Sequence, residues 1–277
     1  MDLSTGDNMN LLMKIILFTP GLGNQIFQYL FYLYLRDNYP NQSIYGYYNR
    51  KILNKHNGLE VDRVFDIRLP SHTVISDVSA FSIRALGKMG MKRYIGRDQF
   101  LPWKVYLDGY WHNREYFKNN IDKLRFREVV LNEKNNHIVS LIQNTNSVAV
   151  HIRRGDYCDS CRKDLFLQSC TPQYYEAAIN VMKEKYQAPV FFVFSDDIPW
   201  VKVNLNIPNA YYIDWNKKKD SYLDMYLMSL CTANIIANST FSFWGAMLGN
   251  KKELVIKPKK WIGNEIPDIF PTSWLSL

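Results

Sequence analysis

The sequence predicts an α/β fold built on parallel sheets. Two observations carry that expectation. KIILF (14–18) is a short apolar run, closed by TPGLGN and followed by IFQYLFYLYLRD, which is apolar nearly all round. A strand, a glycine turn and a buried helix in that order open an α/β unit. From residue 147 strand-type and helix-type segments alternate towards the end of the 277-residue chain. That alternation is the pattern of a Rossmann-like parallel sheet with crossover helices.

Taken in order, the first helix is expected from about Gln25 to Asp37, after the GLGNQ turn. SIYGYY reads as a strand and VDRVFDI as a short helix or turn. FSIRALGKMGMKRYI is basic and roughly amphipathic, and VYLDGYWHNREYFKNNIDKLRFRE reads as a strand running into a helix. Excursions and loops are expected through 40–145. SVAVHIR is a strand, and TPQYYEAAINVMKEKY is a helix with a cap and a proline at its first position. PVFFVFSDD and AYYIDW are strands, and DSYLDMYLMSLC is a helix that Asp220 can cap. TANIIANST is a strand ending in a polar turn, FSFWGAMLG a helix closing on Gly249, and ELVIKP the last strand. The organisation expected is an N-terminal lobe over 13–145 and a C-terminal lobe over 146–277, with no internal repeat.

Composition sets bounds. At 47% apolar residues the chain can bury a sizeable core. A net charge of +8 suits a partner carrying phosphate, and equally nucleic acid or an anionic membrane surface. No stretch approaches the length of a spanning helix. MDLSTGDNMN is acidic and polar, unlike the basic start of a signal peptide, so residues 1–12 read as a peripheral extension and a cytoplasmic location is expected. Cys158, Cys161, Cys170 and Cys231 are then thiols. CDSC has the spacing of half a zinc site, but no second paired motif accompanies it; a reduced loop is the plainer reading, and no metal is expected.

Three strand ends carry polar groups: HIRRGD, SDD and NSTFSFWG. In an open parallel sheet, ligands bind beyond the carboxyl ends of the strands. Arg153 and Arg154 are cations suited to bidentate phosphate pairing. Asn238, Ser239 and Thr240 bring polar side chains and the free amides of a helix N-terminus to the same region. Asp196 and Asp197 can accept hydrogen bonds from a base or ribose. The ligand implied is a nucleotide diphosphate. Singly, each motif has a duller explanation: a surface ion pair with Asp156, a turn cap, a helix cap. Their joint placement at successive strand ends favours one pocket. GLGNQ adds Gly23, where a backbone can approach a ligand closely, or else simply a tight turn.

GLGNQIFQY, HIRRGDY, FFVFSDDIPWVK and NSTFSFWGAML together resemble glycosyltransferase family 11, the α-1,2-fucosyltransferases, over nearly the whole chain from Met13. The likeness is greatest to the compact bacterial members without a membrane anchor. The resemblance implies a GT-B-type fold, two Rossmann-like lobes with a cleft between them, the N-terminal one on the acceptor side. It implies GDP-L-fucose as donor, a galactose 2-hydroxyl as acceptor, inversion at the fucose anomeric carbon, and no metal or other cofactor. The sequence contains no D-x-D pair of the kind metal-dependent sugar transferases use. By the same resemblance Arg153 contacts the β-phosphate, with Arg154 beside it, and Asp196 or Asp197 reads the guanine edge. His151 would touch ribose or guanine, and Asn238, Ser239 and Thr240 would hold phosphate oxygens. Asn24 would face the reacting centre from the other lobe.

Asp156 is expected to orient an arginine and, with Glu115, is a candidate base. Trp111 is read as an acceptor platform or as core. A galactose-terminated surface glycan, such as an O-antigen unit, is the acceptor class expected. The positive charge is compatible with peripheral attachment to the inner membrane face. The competing readings are a fucosyltransferase of another linkage (α-1,6 or protein O-linked) and a basic nucleic-acid-binding protein.

Overall fold

The computed structural model describes residues 13–158, 163–249 and 252–277, apart from the side chains of Asp156 and Lys163. The chain divides into two units, with the break between Arg125 and Phe126.

The first unit runs β1 (Met13–Leu17), α1 (Leu22–Asn38), β2 (Ser43–Tyr47), α2 (Val61–Val64), α3 (Val74–Lys88), β3 (Ile95–Gly96) and β4 (Tyr106–Leu107). Its four strands form a sheet in the order β2-β1-β4-β3, parallel throughout. Ile15 and Ile16 of β1 are wholly buried. Helix α1 is buried round much of its circumference, as its sequence requires. It starts earlier than its apolar run suggests. Gly21 is the N-cap at φ 93°, a conformation strained for any side chain, so Gly23 and Asn24 lie in the first helical turn rather than in a loop.

The segment after β4 is not the expected helix. It forms two 3-10 turns, Arg114–Tyr116 and Ile121–Lys123. Packing against α1 explains the difference. Trp111 stacks on Phe31 with ring centroids 4.0 Å apart, Tyr116 meets the same ring at 4.9 Å, and Phe117 meets Phe27 at 5.6 Å. Trp111 holds a positive φ of 58° to do so.

The second unit runs α4 (Glu133–Gln143), β5 (Ser147–Ile152), α5 (Gly155–Cys158), α6 (Lys163–Leu167), α7 (Pro172–Lys185), β6 (Val190–Ser195), α8 (Ile198–Asn204), β7 (Ala210–Ile213), α9 (Tyr222–Leu230), β8 (Ala233–Ile235), α10 (Thr240–Met247), β9 (Leu254–Lys257) and β10 (Leu275–Ser276). Helix α4 belongs here rather than to the first unit. It packs on α9 and β5, and Asn135 on it exchanges hydrogen bonds with Asn216 at 2.9 and 3.2 Å. Helix α7 begins as its sequence dictates, with Thr171 accepting from the Tyr174 amide and Pro172 in the first turn. Helix α9 does not. Asp220 sits in a 3-10 turn, Ser221 is the N-cap position, and no side chain caps it.

The second sheet has the order β10-β9-β8-β5-β6-β7 and is parallel throughout. Read from β5, the chain winds outward through β6 and β7, then returns to lay β8, β9 and β10 on the other side. This is the doubly wound order with its reversal between β5 and β8. No helix among the described residues is long and apolar enough to cross a membrane.

Candidate active site

In a doubly wound sheet the winding reversal leaves a crevice beyond the strand ends, because the flanking connections depart in opposite directions. Here β5 ends in His151 and Ile152 and leads into Arg153 and Arg154, while β8 leads into Asn238, Ser239 and Thr240. Two tyrosines of α7 fix these ends. The Tyr175 hydroxyl donates to the His151 carbonyl at 3.1 Å, and the Tyr174 hydroxyl to the Ile236 carbonyl at 2.7 Å. The end of β6 adds Asp196 and Asp197, because β6 pairs with β5 in the register Ile152–Ser195.

The arginines and aspartates interlock. Arg153 Nη1 lies 2.8 Å from Asp196 Oδ2. The Arg154 amide donates to Asp196 Oδ1 at 2.9 Å, and Arg154 Nε to Asp197 Oδ2 at 3.3 Å. The Arg154 guanidinium also stacks on Trp200, 3.7 Å from the ring centroid. A Cβ on Gly155 would lie 2.6 Å from Asp196 Oδ2, so only glycine lets that carboxylate close in. Asp197 is in addition the N-cap of α8, accepting from the Trp200 amide at 3.1 Å. A guanidinium carries five donors in a fixed fork, so one held by a carboxylate is oriented to present others to an anion.

His151 is buried, and its Nδ1 has no hydrogen-bond partner. Burial drives the imidazole down to about 4 from its usual 6.5; the Asp196 carboxylate pulls it up and the Arg153 guanidinium pushes it down. The ring is therefore neutral at pH 7. Between pH 6.5 and about 4 the unfolded chain binds a proton at His151 that the folded chain refuses, so stability falls as pH falls through that window. Urea unfolding is expected to show the wild type losing more stability over this range than His151→Asn, which has nothing to titrate there. Titrating groups remote from His151 cancel in that difference.

Asn238 is buried and committed. Its side-chain Nδ2 donates to the carbonyls of Phe166 at 2.9 Å and Trp261 at 2.7 Å, and its backbone carbonyl accepts from the Tyr157 hydroxyl at 3.0 Å. Its Oδ1 is buried without a partner. That atom is an acceptor, so a ligand donor suits it and a phosphate oxygen does not. Ser239 caps α10 by accepting from the Phe241 amide at 3.3 Å, which leaves the helix N-terminus turned towards this strand end.

Residues 91–276 match the model of glycosyl transferase family 11. An Escherichia coli α-1,2-colitosyltransferase is 33% identical over 288 residues, covering 93% of this chain and 96% of that protein. The chain belongs to glycosyl transferase family 11. Within it, the O-antigen biosynthesis glycosyltransferase WbnK of Escherichia coli is 39% identical over 140 residues, 50% of this chain and 46% of that one. A galactoside α-(1,2)-fucosyltransferase 1 of Saimiri boliviensis boliviensis is 27% identical over 103 residues, 36% of this chain and 28% of that one.

Of the residues singled out in the sequence, His151, Arg153, Arg154, Asp196, Asp197, Asn238, Ser239 and Thr240 come together at the ends of β5, β6 and β8. Gly23, Asn24, Trp111 and Glu115 belong to the other unit. Trp111 is fully buried and stacked on Phe31, so it is core and not a sugar platform. Glu115 is exposed and paired with Lys118 at 2.6 Å. The Asp156 side chain and Cys161 lie outside the described residues, as does the extension 1–12. Cys170 Sγ accepts from the backbone N–H of Asn238 at 3.3 Å, and Cys231 is buried and donates to the Leu227 carbonyl. The motifs did not single out Tyr157, Tyr175 and Trp200 as site residues. Tyr157 and Trp200 had a signal, their places in HIRRGDY and SDDIPW; Tyr175 had none.

Proposed function

We propose that this family 11 glycosyltransferase moves L-fucose from GDP-β-L-fucose to the 2-hydroxyl of a galactoside, forming an α-1,2 linkage. The observation that carries the reading is the clustering at the β5–β8 reversal of Arg153 and Arg154 on one strand end and the α10 N-terminus on the other. In the transfer the galactose 2-oxygen attacks the fucose anomeric carbon as the bond to the β-phosphate oxygen breaks. GDP leaves with the electron pair, and inversion turns the β-linked donor into an α-linked product. Negative charge grows on the β-phosphate as that bond opens, and preorganised donors aimed there lower the barrier. Arg153, braced by Asp196, meets that charge; Arg154, clamped by Asp197 and Trp200, flanks it; Ser239, Thr240 and the α10 amides take further oxygens. Asp197 or Asp196 accepts from the guanine edge, and the Asn238 Oδ1 accepts from a donor hydroxyl. The proton of the acceptor hydroxyl goes to a base, for which the sequence offers Asp156 or Glu115. The arginines supply the positive charge, so no metal is required.

The test mixes purified protein, GDP-fucose and a β-galactoside in excess EDTA and follows GDP release and product linkage. A new α-1,2-linked fucose is expected. Release without transfer would discard the acceptor class, and a different linkage would discard the regiochemistry. A second reading, colitose as the sugar moved, is favoured by the α-1,2-colitosyltransferase that matches almost end to end. Competition between GDP-fucose and GDP-colitose decides between them by the ratio of kcat/KM.

A further inference from the structure

Helix α3 is built inside out for a solvent-facing helix. Its inward positions are small: Ser76, Ala80 and Gly87 are buried, and a Cβ on Gly87 would lie 2.4 Å from Ile95 Cδ1. Apart from Ile83, which packs on the core of the first unit, its large apolar residues face outward. Val74 is 81% exposed, Val78 58%, Phe81 66% and, just past the last turn, Met89 76%. Positions 74, 78, 81, 85 and 89 recur at helical spacing, so these side chains form one continuous stripe. Soluble chains seldom leave such a stripe to water.

The edge of that stripe is strongly basic. Arg84 and Lys88 follow Phe81 at helical spacing and line a cavity of about 380 Å³ together with Lys92, Arg97, Tyr106 and Asp108. Four cations face one carboxylate there, and Arg97 lies 4.0 Å from it. The Tyr106 hydroxyl is wholly buried and has no hydrogen-bond partner. Burial pushes its pKa up, so it stays a donor. Four guanidinium and ammonium groups around a single carboxylate leave a net positive cavity that a phosphate matches. A water-soluble phosphate would account for the cavity and leave the apolar stripe unexplained. A phospholipid supplies both halves, a phosphate for the cavity and an apolar phase for the stripe.

We propose that α3 and the basic cavity beside it form a docking surface for an anionic phospholipid bilayer, with Val74, Val78, Phe81 and Met89 in the interface and a lipid phosphate among Arg84, Lys88, Lys92 and Arg97. The surface lies wholly within the first unit and does not depend on which sugar the enzyme moves.

The full chain is sedimented with vesicles of phosphatidylcholine, alone or mixed with phosphatidylglycerol. Binding to the mixed vesicles, weakened by salt and nearly absent on neutral ones, is expected. Val78→Glu/Phe81→Glu and Lys88→Glu/Lys92→Glu are each expected to lower the partition coefficient about tenfold or more. Circular dichroism and the unfolding midpoint confirm that these variants are folded, and the substituted side chains point to solvent. Binding unchanged in both variants would overturn the proposal. So would thermal stabilisation by inorganic phosphate, lost in Lys88→Glu/Lys92→Glu, without vesicle binding, which would make the cavity a site for a soluble phosphate. A dimer that Val78→Glu/Phe81→Glu converts to monomer, again without vesicle binding, would make the stripe a contact between copies of the chain and overturn it equally.

Discussion

Arg153→Ala is expected to lower kcat/KM for transfer from GDP-fucose by about a hundredfold or more. The guanidinium is 28% exposed, sits at the end of β5 and is held by Asp196 at 2.8 Å. It needs little reorganisation to meet the charge that builds on the departing diphosphate, and its removal leaves Asp196 as an uncompensated carboxylate at the same spot. Both effects act on the transition state more than on ground-state binding. The KM for GDP-fucose should therefore change less than kcat does, whereas GDP, which already carries the developed charge, should lose affinity in calorimetry. Arg153→Lys keeps the charge but not the fork, and should recover only part of the rate. Arg154→Ala should cost less in rate and more in order, because Arg154 is stacked on Trp200 and tied to both aspartates through its side chain and its amide. If Arg153→Ala kept activity within about threefold of wild type while folded, the leaving group would be stabilised elsewhere and the role assigned to β5 would be wrong.

The site was easier to read from the sequence than the unit that lacks it. HIRRGD, SDD and NSTFS each follow an apolar run long enough to be a buried strand. Once three such runs share a parallel sheet, their ends must share one edge. The same sequence did not reveal that β5 and β8 flank the winding reversal, because strand order is set by crossover packing and not by any local pattern. Nor did it show that Asn238 spends its amide on two carbonyls. A buried asparagine and a ligand-binding one have the same letter, and only the surrounding carbonyls distinguish them. Through 40–145 the signal was weaker still. Strand β3 has two residues, too short for any period to register, while β4, equally short, was legible only as the start of VYLDGY. Trp111 was open between platform and core, and the stack on Phe31 across 80 residues of sequence decided it. Of the two readings of GLGNQ, a ligand approach or a tight turn, the backbone fits the turn, with Gly21 capping α1. Helix α1 already runs through the segment, and the glutamine of GLGNQ has a different task.

That task makes Gln25→Ala the second large expected effect, a loss of about 3 kcal/mol in stability. Gln25 is fully buried. Its Nε2 donates to the carbonyls of Thr19 at 3.2 Å and Gly58 at 2.7 Å, and its Oε1 accepts from the amides of Glu60 at 2.8 Å and Val61 at 3.1 Å. Those two amides open α2, whose N-cap residue Glu60 makes no cap with its own side chain. A helix start must satisfy its first amides somehow, and here a side chain from α1 does so. Alanine removes all four bonds at once and leaves donors and acceptors unpaired in a place water does not reach. Gln25→Glu is the informative control. It keeps the shape and both acceptor contacts, loses both donor contacts, and sets a carboxylate near the backbone of Glu60, whose own buried side chain is already pushed above its usual range. Two buried carboxylates resist ionising together, so Gln25→Glu should be destabilised at neutral pH and partly recover relative to wild type as the pH falls. A Gln25→Ala loss below about 1 kcal/mol in urea unfolding would mean that the Glu60 and Val61 amides find other partners cheaply, and that the glutamine of GLGNQ is there for something other than the fold.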